Sequence, residues 1–269
     1  MNRQMIPSAL VAGALAVAPG LSGCGSSIGE SSPASSSVSA EASTVTVFAA
    51  ASLNGAGAEL EKAFERSHEG VDITFNYAGS SKLVQQIDQG AAADILVTAD
   101  QRTMDSAREK VAELKNAEPT VIASNTLVLA TADGNPAEIT SAKDVAKDSV
   151  TTAICAEEVP CGALAHKELD REKLTLGNAT EEKNVSDVST KVASGAVDAG
   201  FIYSTDAETL KSQQDITVIE LPGLEHNRYP MALTEQGEKS EAAKEFAQWL
   251  SGSEAQNILK KFHFMPAQS

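Results

Sequence analysis

Apolar and polar positions along the chain switch repeatedly between a period of two and a period near 3.6. Thr44-Val45-Thr46-Val47-Phe48 reads as a buried strand. A small-residue turn, Ala49 to Gly55, leads into a helix that runs to about Ser67, with Leu60, Ala63 and Phe64 on one face. Val71, Ile73, Phe75 and Tyr77 alternate with Asp72, Thr74 and Asn76, a half-buried strand. Ala78-Gly79-Ser80-Ser81 turns into a helix carrying Leu83, Val84 and Ile87. Ala93 to Thr98 is a third strand, and a helix from about Gln101 to Val111 follows.

Thr120 to Thr131 is a long extended segment with Ser124-Asn125 in its middle, as expected of a strand crossing between two lobes. The alternation then resumes. Strands are expected at Val150–Cys155, Asp198–Tyr203 and Ile216–Leu221, with helices from Cys161 to about Leu169 and from Ser186 to Ser194. Arg228 to Leu233 is a second crossover segment. Two helices, about Ser240–Leu250 and Ser253–Lys261, close the chain, with Trp249, Leu250, Ile258 and Leu259 as core. Repeated strand–helix units predict an α/β fold with mainly parallel sheets flanked by helices. Two crossovers predict two lobes. The expected organisation is 44–123 for the first part of lobe 1, 124–228 for lobe 2 and 229–269 for the completion of lobe 1.

Composition narrows the function. The net charge of −16 makes the chain a poor partner for nucleic acid or for an anionic membrane surface. Aromatic residues make up only 4% of the chain, too few for a wall of stacking rings.

The N-terminus reads as an export signal. Arg3 is followed by an apolar run from Ile6 to Val17, which Pro19-Gly20 ends too early for a membrane span. Leu21-Ser22-Gly23-Cys24 then resembles the lipidation motif of bacterial lipoproteins, with residues 1–23 removed and Cys24 carrying the lipid. Residues 24–43, rich in Ser, Ala and Gly, read as a flexible tether. The expected location is extracytoplasmic, anchored to the cell membrane. Cys155 and Cys161 remain, and in an oxidising compartment they either form a short disulfide loop or stay as two thiols. No His lies in a ligand spacing with them, so a metal site is not expected.

Four turns that open helices share one chemistry. Ser52, Gly79-Ser80-Ser81, Val159-Pro160-Cys161-Gly162 and Asn184-Val185-Ser186 all offer backbone N–H groups at a positive dipole end, with Ser186 a candidate N-cap. Converging on one cleft, they would form an anion site without Lys or Arg. That reconciles an acidic chain with an anionic ligand.

These residues resemble a known family. Val47 to Leu53, Tyr77 to Leu83 and Ala93 to Asp100 are similar to the first lobe of molybdate-binding proteins of ABC importers. Val159-Pro160-Cys161-Gly162, Asn184-Val185 and Gly200 to Ala207 are similar to the second, and Tyr229-Pro230 with Phe262-His263-Phe264 to its end. The resemblance implies a type II periplasmic-binding-protein fold closing on a tetrahedral oxyanion, molybdate and also tungstate, with molybdenum bound only as the oxyanion and no cofactor. It implies that Ser52 and Ser80 donate hydroxyl and backbone N–H, Cys161 and Val185 a backbone N–H, and Tyr203 its phenol. It also implies a monomer that delivers to a membrane permease. Two residues depart from the family pattern: Cys161, which with Cys155 could form a disulfide that stiffens the loop, and Gly79, which stands where a Ser hydroxyl is common.

Other readings carry their own signatures. A sulfate or phosphate receptor would share the fold. A serine hydrolase would need a base near Ser52 or Ser80, but His68, His166, His226 and His263 lie in no such arrangement and no Gly-x-Ser-x-Gly elbow occurs. A purely adhesive lipoprotein would gain no stability from a ligand.

Overall fold

The computed structural model describes residues 43–267, so Cys24, the signal segment and nearly all of the tether lie outside the described residues. Two five-stranded sheets organise the chain. The first has the order β2-β1-β3-β10-β4 and is built from Ser43–Ala50 (β1), Val71–Ala78 (β2), Ile95–Val97 (β3), Thr120–Asn125 (β4) and Asn227–Leu233 (β10). The second has the order β7-β6-β8-β5-β9, from Leu127–Thr131 (β5), Thr151–Cys155 (β6), Asn178–Glu182 (β7), Ala199–Tyr203 (β8) and Val218–Glu220 (β9). The parallel arrangement expected from strand–helix alternation holds for β2-β1-β3 and β7-β6-β8. The strands linked to the crossovers, β10, β4, β5 and β9, run antiparallel to their neighbours, so both sheets are mixed.

Period-two patterning decides which helices cover which face. In the first sheet Val45, Val47 and Ile95 point to one side, where Asn54–Glu65 (α1), Glu241–Leu250 (α7) and Ser253–Lys261 (α8) pack. Phe64 of α1 meets Phe246 of α7 edge-on, with ring centroids 4.9 Å apart. Phe48 and Leu96 point to the other side, under Ser80–Asp88 (α2) and Gln101–Lys110 (α3), against Leu83, Ile87 and Met104. In the second sheet Pro160–Glu172 (α4), Val185–Ala193 (α5) and Ser204–Lys211 (α6) do the same work, burying Leu164, Val188 and Ala207. Trp249, expected in the core, is only half-buried, while Leu250, Ile258 and Leu259 are buried.

Two elements have no counterpart in the sequence reading. β7 is the polar stretch Asn-Ala-Thr-Glu-Glu at a sheet edge, and α6 follows β8 without a break. The first crossover is split, with Asn125 ending β4 in one sheet and Leu127 opening β5 in the other. The second runs from β9 to β10 through 221–226.

Candidate functional site

The starts of α2, α4 and α5 face one another where the two lobes meet. Ser81 Oγ at the start of α2 donates to the carbonyl of Glu158, just before α4, at 2.7 Å. Arg102 Nη2 donates to the same carbonyl at 3.3 Å. Gly79, the N-cap of α2, lies so close to Lys183 and Asn184 at the start of α5 that an added Cβ would fall 2.4 Å from the Lys183 carbonyl oxygen.

These helix starts are sparingly capped. Among the described residues no side chain caps α2 at Gly79 or α4 at Val159. At α5 the N-cap is Asn184 rather than Ser186. Asn184 has extended backbone, and its side chain accepts from Asp187 N, whereas Ser186 lies inside the helix. The starts of α2, α4 and α5 thus lie close together, those of α2 and α4 without a side-chain cap, and free first-turn amides are donors that can stabilise an anion.

The side chains come from five places. Ser52 sits in a short 3-10 turn, Ala51–Leu53, between β1 and α1, and is buried. Its Oγ lies 2.8 Å from the hydroxyl of Tyr229. Ser80 is the first residue of α2, and its Oγ accepts from Ala99 N at 3.0 Å. Cys161 is the second residue of α4 and Val185 the first of α5; both are buried. Tyr203 ends β8, fully buried, with its hydroxyl hydrogen-bonded to Asn227 Nδ2. Burial, reinforced by Tyr229, Asp100 and Asp206 nearby, pushes the Tyr203 phenol well above its usual range. Burial raises Tyr229 as well. Both phenols stay protonated at neutral pH and remain donors.

Cys155 and Cys161 are disulfide-bonded, with Cα atoms 5.7 Å apart. The bond ties the end of β6 to the first turn of α4. Gly162 completes this loop, since a Cβ there would lie 1.9 Å from the Ala156 carbonyl oxygen. Replacing both cysteines by Ala should cost about 2 kcal/mol through the freed loop, lowering Tm by roughly 4–8 °C by scanning calorimetry.

Several residues of this region escaped the sequence reading. Asn125, at the first crossover, accepts at Oδ1 from Thr126 N and Ser204 Oγ, each at 2.9 Å. Its Nδ2 reaches Thr205 Oγ1 at 2.9 Å and Tyr229 OH at 3.4 Å. Asp206, in the first turn of α6, shares a cavity of about 180 Å³ with Ser52, Ser186 and Thr205. Its Oδ2 is buried with no hydrogen-bond partner among the described residues. Burial pushes its carboxyl up to about 7, only partly offset by hydrogen bonds from backbone groups and Thr205. A wider groove of about 750 Å³ runs along Arg102, Glu158, Pro160 and His166, and none of the five expected ligand residues lines it.

His68 stacks on Phe64 with ring centroids 3.7 Å apart, and among the described residues no cluster of His, Cys, Asp or Glu could hold a metal ion.

Residues 45–265 match the model of the family described as bacterial extracellular solute-binding protein. The chain belongs to that family. The molybdate-binding protein ModA of Mycobacterium tuberculosis is 34% identical to this chain over 247 residues, spanning 91% of this chain and 92% of the relative. A solved solute-binding structure, the periplasmic molybdate-binding protein of Azotobacter vinelandii, superposes with a TM-score of 0.72 at 20% identity, covering 83% of this chain and all of that one. The sulfate-binding protein SubI of Mycobacterium tuberculosis superposes with a TM-score of 0.73 at 14% identity, covering 83% and 87%. At such identities the superpositions establish the two-lobed fold alone.

Proposed function

We propose that this solute-binding protein captures molybdate, and tungstate with it, for an ABC permease. The observation that carries the reading is the meeting of the α2, α4 and α5 starts across the cleft, with Ser52, Ser80 and Tyr203 adding hydroxyls. Backbone amides of Ser52, Ser80, Cys161 and Val185 and the three hydroxyls would surround a tetrahedral dianion. Lobe 1 in this reading comprises 44–123 and 229–269, and lobe 2 comprises 124–228. Lipid on Cys24 and the tether to residue 43 would hold the receptor near its permease as a monomer.

The donor set argues against phosphate. At neutral pH that ion carries a proton and needs an acceptor; none of the five residues supplies a carboxylate, and the neighbouring Asp206, pushed up to about 7 by burial, is itself partly protonated near that pH. Sulfate remains the competing ligand, since SubI shares the fold. Sulfate is smaller than molybdate, so donors spaced for the larger ion would leave its hydrogen bonds long.

Thermal shift tests the reading. At a hundredfold excess over the dissociation constant, molybdate should stabilise the protein by about 2.7 kcal/mol, raising Tm by roughly 5–10 °C. Sulfate at the same concentration should shift it far less. No shift with molybdate, or a larger one with sulfate, would overturn the assignment.

A further inference from the structure

We infer that β10 carries two positioning residues, Tyr229 and Asn227, which direct the hydroxyl protons of Ser52 and Tyr203 toward the bound oxyanion. This rests on the oxyanion reading of the cleft.

A hydroxyl has one proton to give and two lone pairs to offer, so its neighbours decide which face it shows a ligand. A fully deprotonated oxyanion only accepts. Each hydroxyl in its shell is useful to the extent that its proton has no other acceptor and its oxygen is already fed by a donor. Ser80 illustrates the arrangement, because Ala99 N can only donate, and it occupies the Ser80 oxygen at 3.0 Å. The Ser80 proton is then free to face the cleft.

The same logic extends through Asn125 to Ser52. Thr126 N can only donate, and it bonds Asn125 Oδ1 at 2.9 Å, which fixes the orientation of that amide. Asn125 Nδ2 therefore presents protons to Tyr229 OH at 3.4 Å. Either hydroxyl of the Tyr229–Ser52 pair, 2.8 Å apart, can donate to the other; with the Tyr229 oxygen already fed and an acceptor-only oxyanion bound, the favoured direction has Tyr229 giving its proton to Ser52 Oγ. The Ser52 proton is left for the ligand. On the other lobe Asn227 Nδ2 donates to Tyr203 OH, leaving the phenolic proton free. All three hydroxyls thus end chains that begin at an N–H group. Two of the chains run through β10, and one of those starts at Asn125, the last residue of β4 at the other crossover.

A packing role would look different. Tyr229 is fully buried and edge-on to Phe264, with ring centroids 5.4 Å apart, so a structural hydroxyl would affect stability and leave affinity alone. Two double-mutant cycles read by calorimetric titration of the full chain with molybdate separate these roles. Tyr229→Phe should weaken binding about tenfold in the parent and less than about twofold in a Ser52→Ala background. Asn227→Ala should behave likewise in the parent and in a Tyr203→Phe background. Additive losses in the first cycle would overturn the role of Tyr229, and in the second that of Asn227, while the oxyanion reading stands. Failure of the unaltered protein to bind molybdate would overturn that reading and this inference together.

Discussion

Gly79→Ala should weaken molybdate binding by roughly 10- to 100-fold while leaving the Tm of the ligand-free protein almost unchanged. Gly79 has φ −59 and ψ 136, a conformation open to any residue, so the substitution brings no backbone strain. The obstacle is across the cleft. The new Cβ would lie 2.4 Å from the Lys183 carbonyl oxygen and 3.4 Å from Asn184 Cβ, at the opening of α5. Backbone at a helix start cannot swing aside as a side-chain tip can, so the lobes would have to stand further apart. Overpacking of this kind costs about 1–3 kcal/mol. On the proposed reading, the state in which the α2 and α5 starts approach is the one that surrounds the anion, and the penalty falls on that state. Titration calorimetry and scanning calorimetry on the same preparation give both numbers. Unchanged affinity would mean that this approach is not part of capture. In this chain the missing side chain lets the two helix starts come together.

Asp206→Asn should stabilise the ligand-free protein at pH 8 by on the order of 2–4 kcal/mol and do little near pH 4. The Asp206 carboxyl rises from an ordinary value of 3.8 to about 7 in the folded protein, first because it is buried. A raised value means that the folded state keeps a proton the unfolded chain has lost. Its contribution to stability is fully present below pH 3.8, falls as the pH climbs to about 7, and is flat above that. Asparagine matches the shape without ionising, so the variant should lose this slope. Chemical denaturation at several pH values checks the prediction, and parallel pH profiles for parent and variant would refute it. Because the carboxyl shares a cavity with Ser52 and Ser186, its charge also opposes an anion in the cleft.

Much of the architecture was legible because it rests on local periodicity. Val45 and Val47 against Thr44 and Thr46, or Val71 to Tyr77, announce strands whatever their partners. β7 was not legible. It pairs only with β6, and its residues are all exposed or half-buried, so no apolar alternation marks it. α6 was hidden because Ser204 follows Tyr203 of β8 directly, with no turn residues to mark where the strand ends and the helix begins. At the candidate site, helix-start turns could be seen from spacing alone, but the partners of their hydroxyls could not. Tyr229 lies 177 positions from Ser52, and Asn125 lies 104 from Tyr229. Ser186 was favoured as a cap because serine commonly takes that place, yet Asn184 has the extended backbone and reaches Asp187 N.

The placement of β10 has a consequence for biosynthesis. Every strand of the second sheet lies between Leu127 and Glu220, so that sheet is complete once the chain to this point has been made. The first sheet waits. β10 inserts between β3 and β4, and until Asn227–Leu233 arrives the apolar strand Ile95-Leu96-Val97 has an open edge. A chain emerging from its N-terminus therefore finishes its second lobe before its first. A truncation just short of Asn227 would leave one finished lobe beside an adhesive, half-paired sheet.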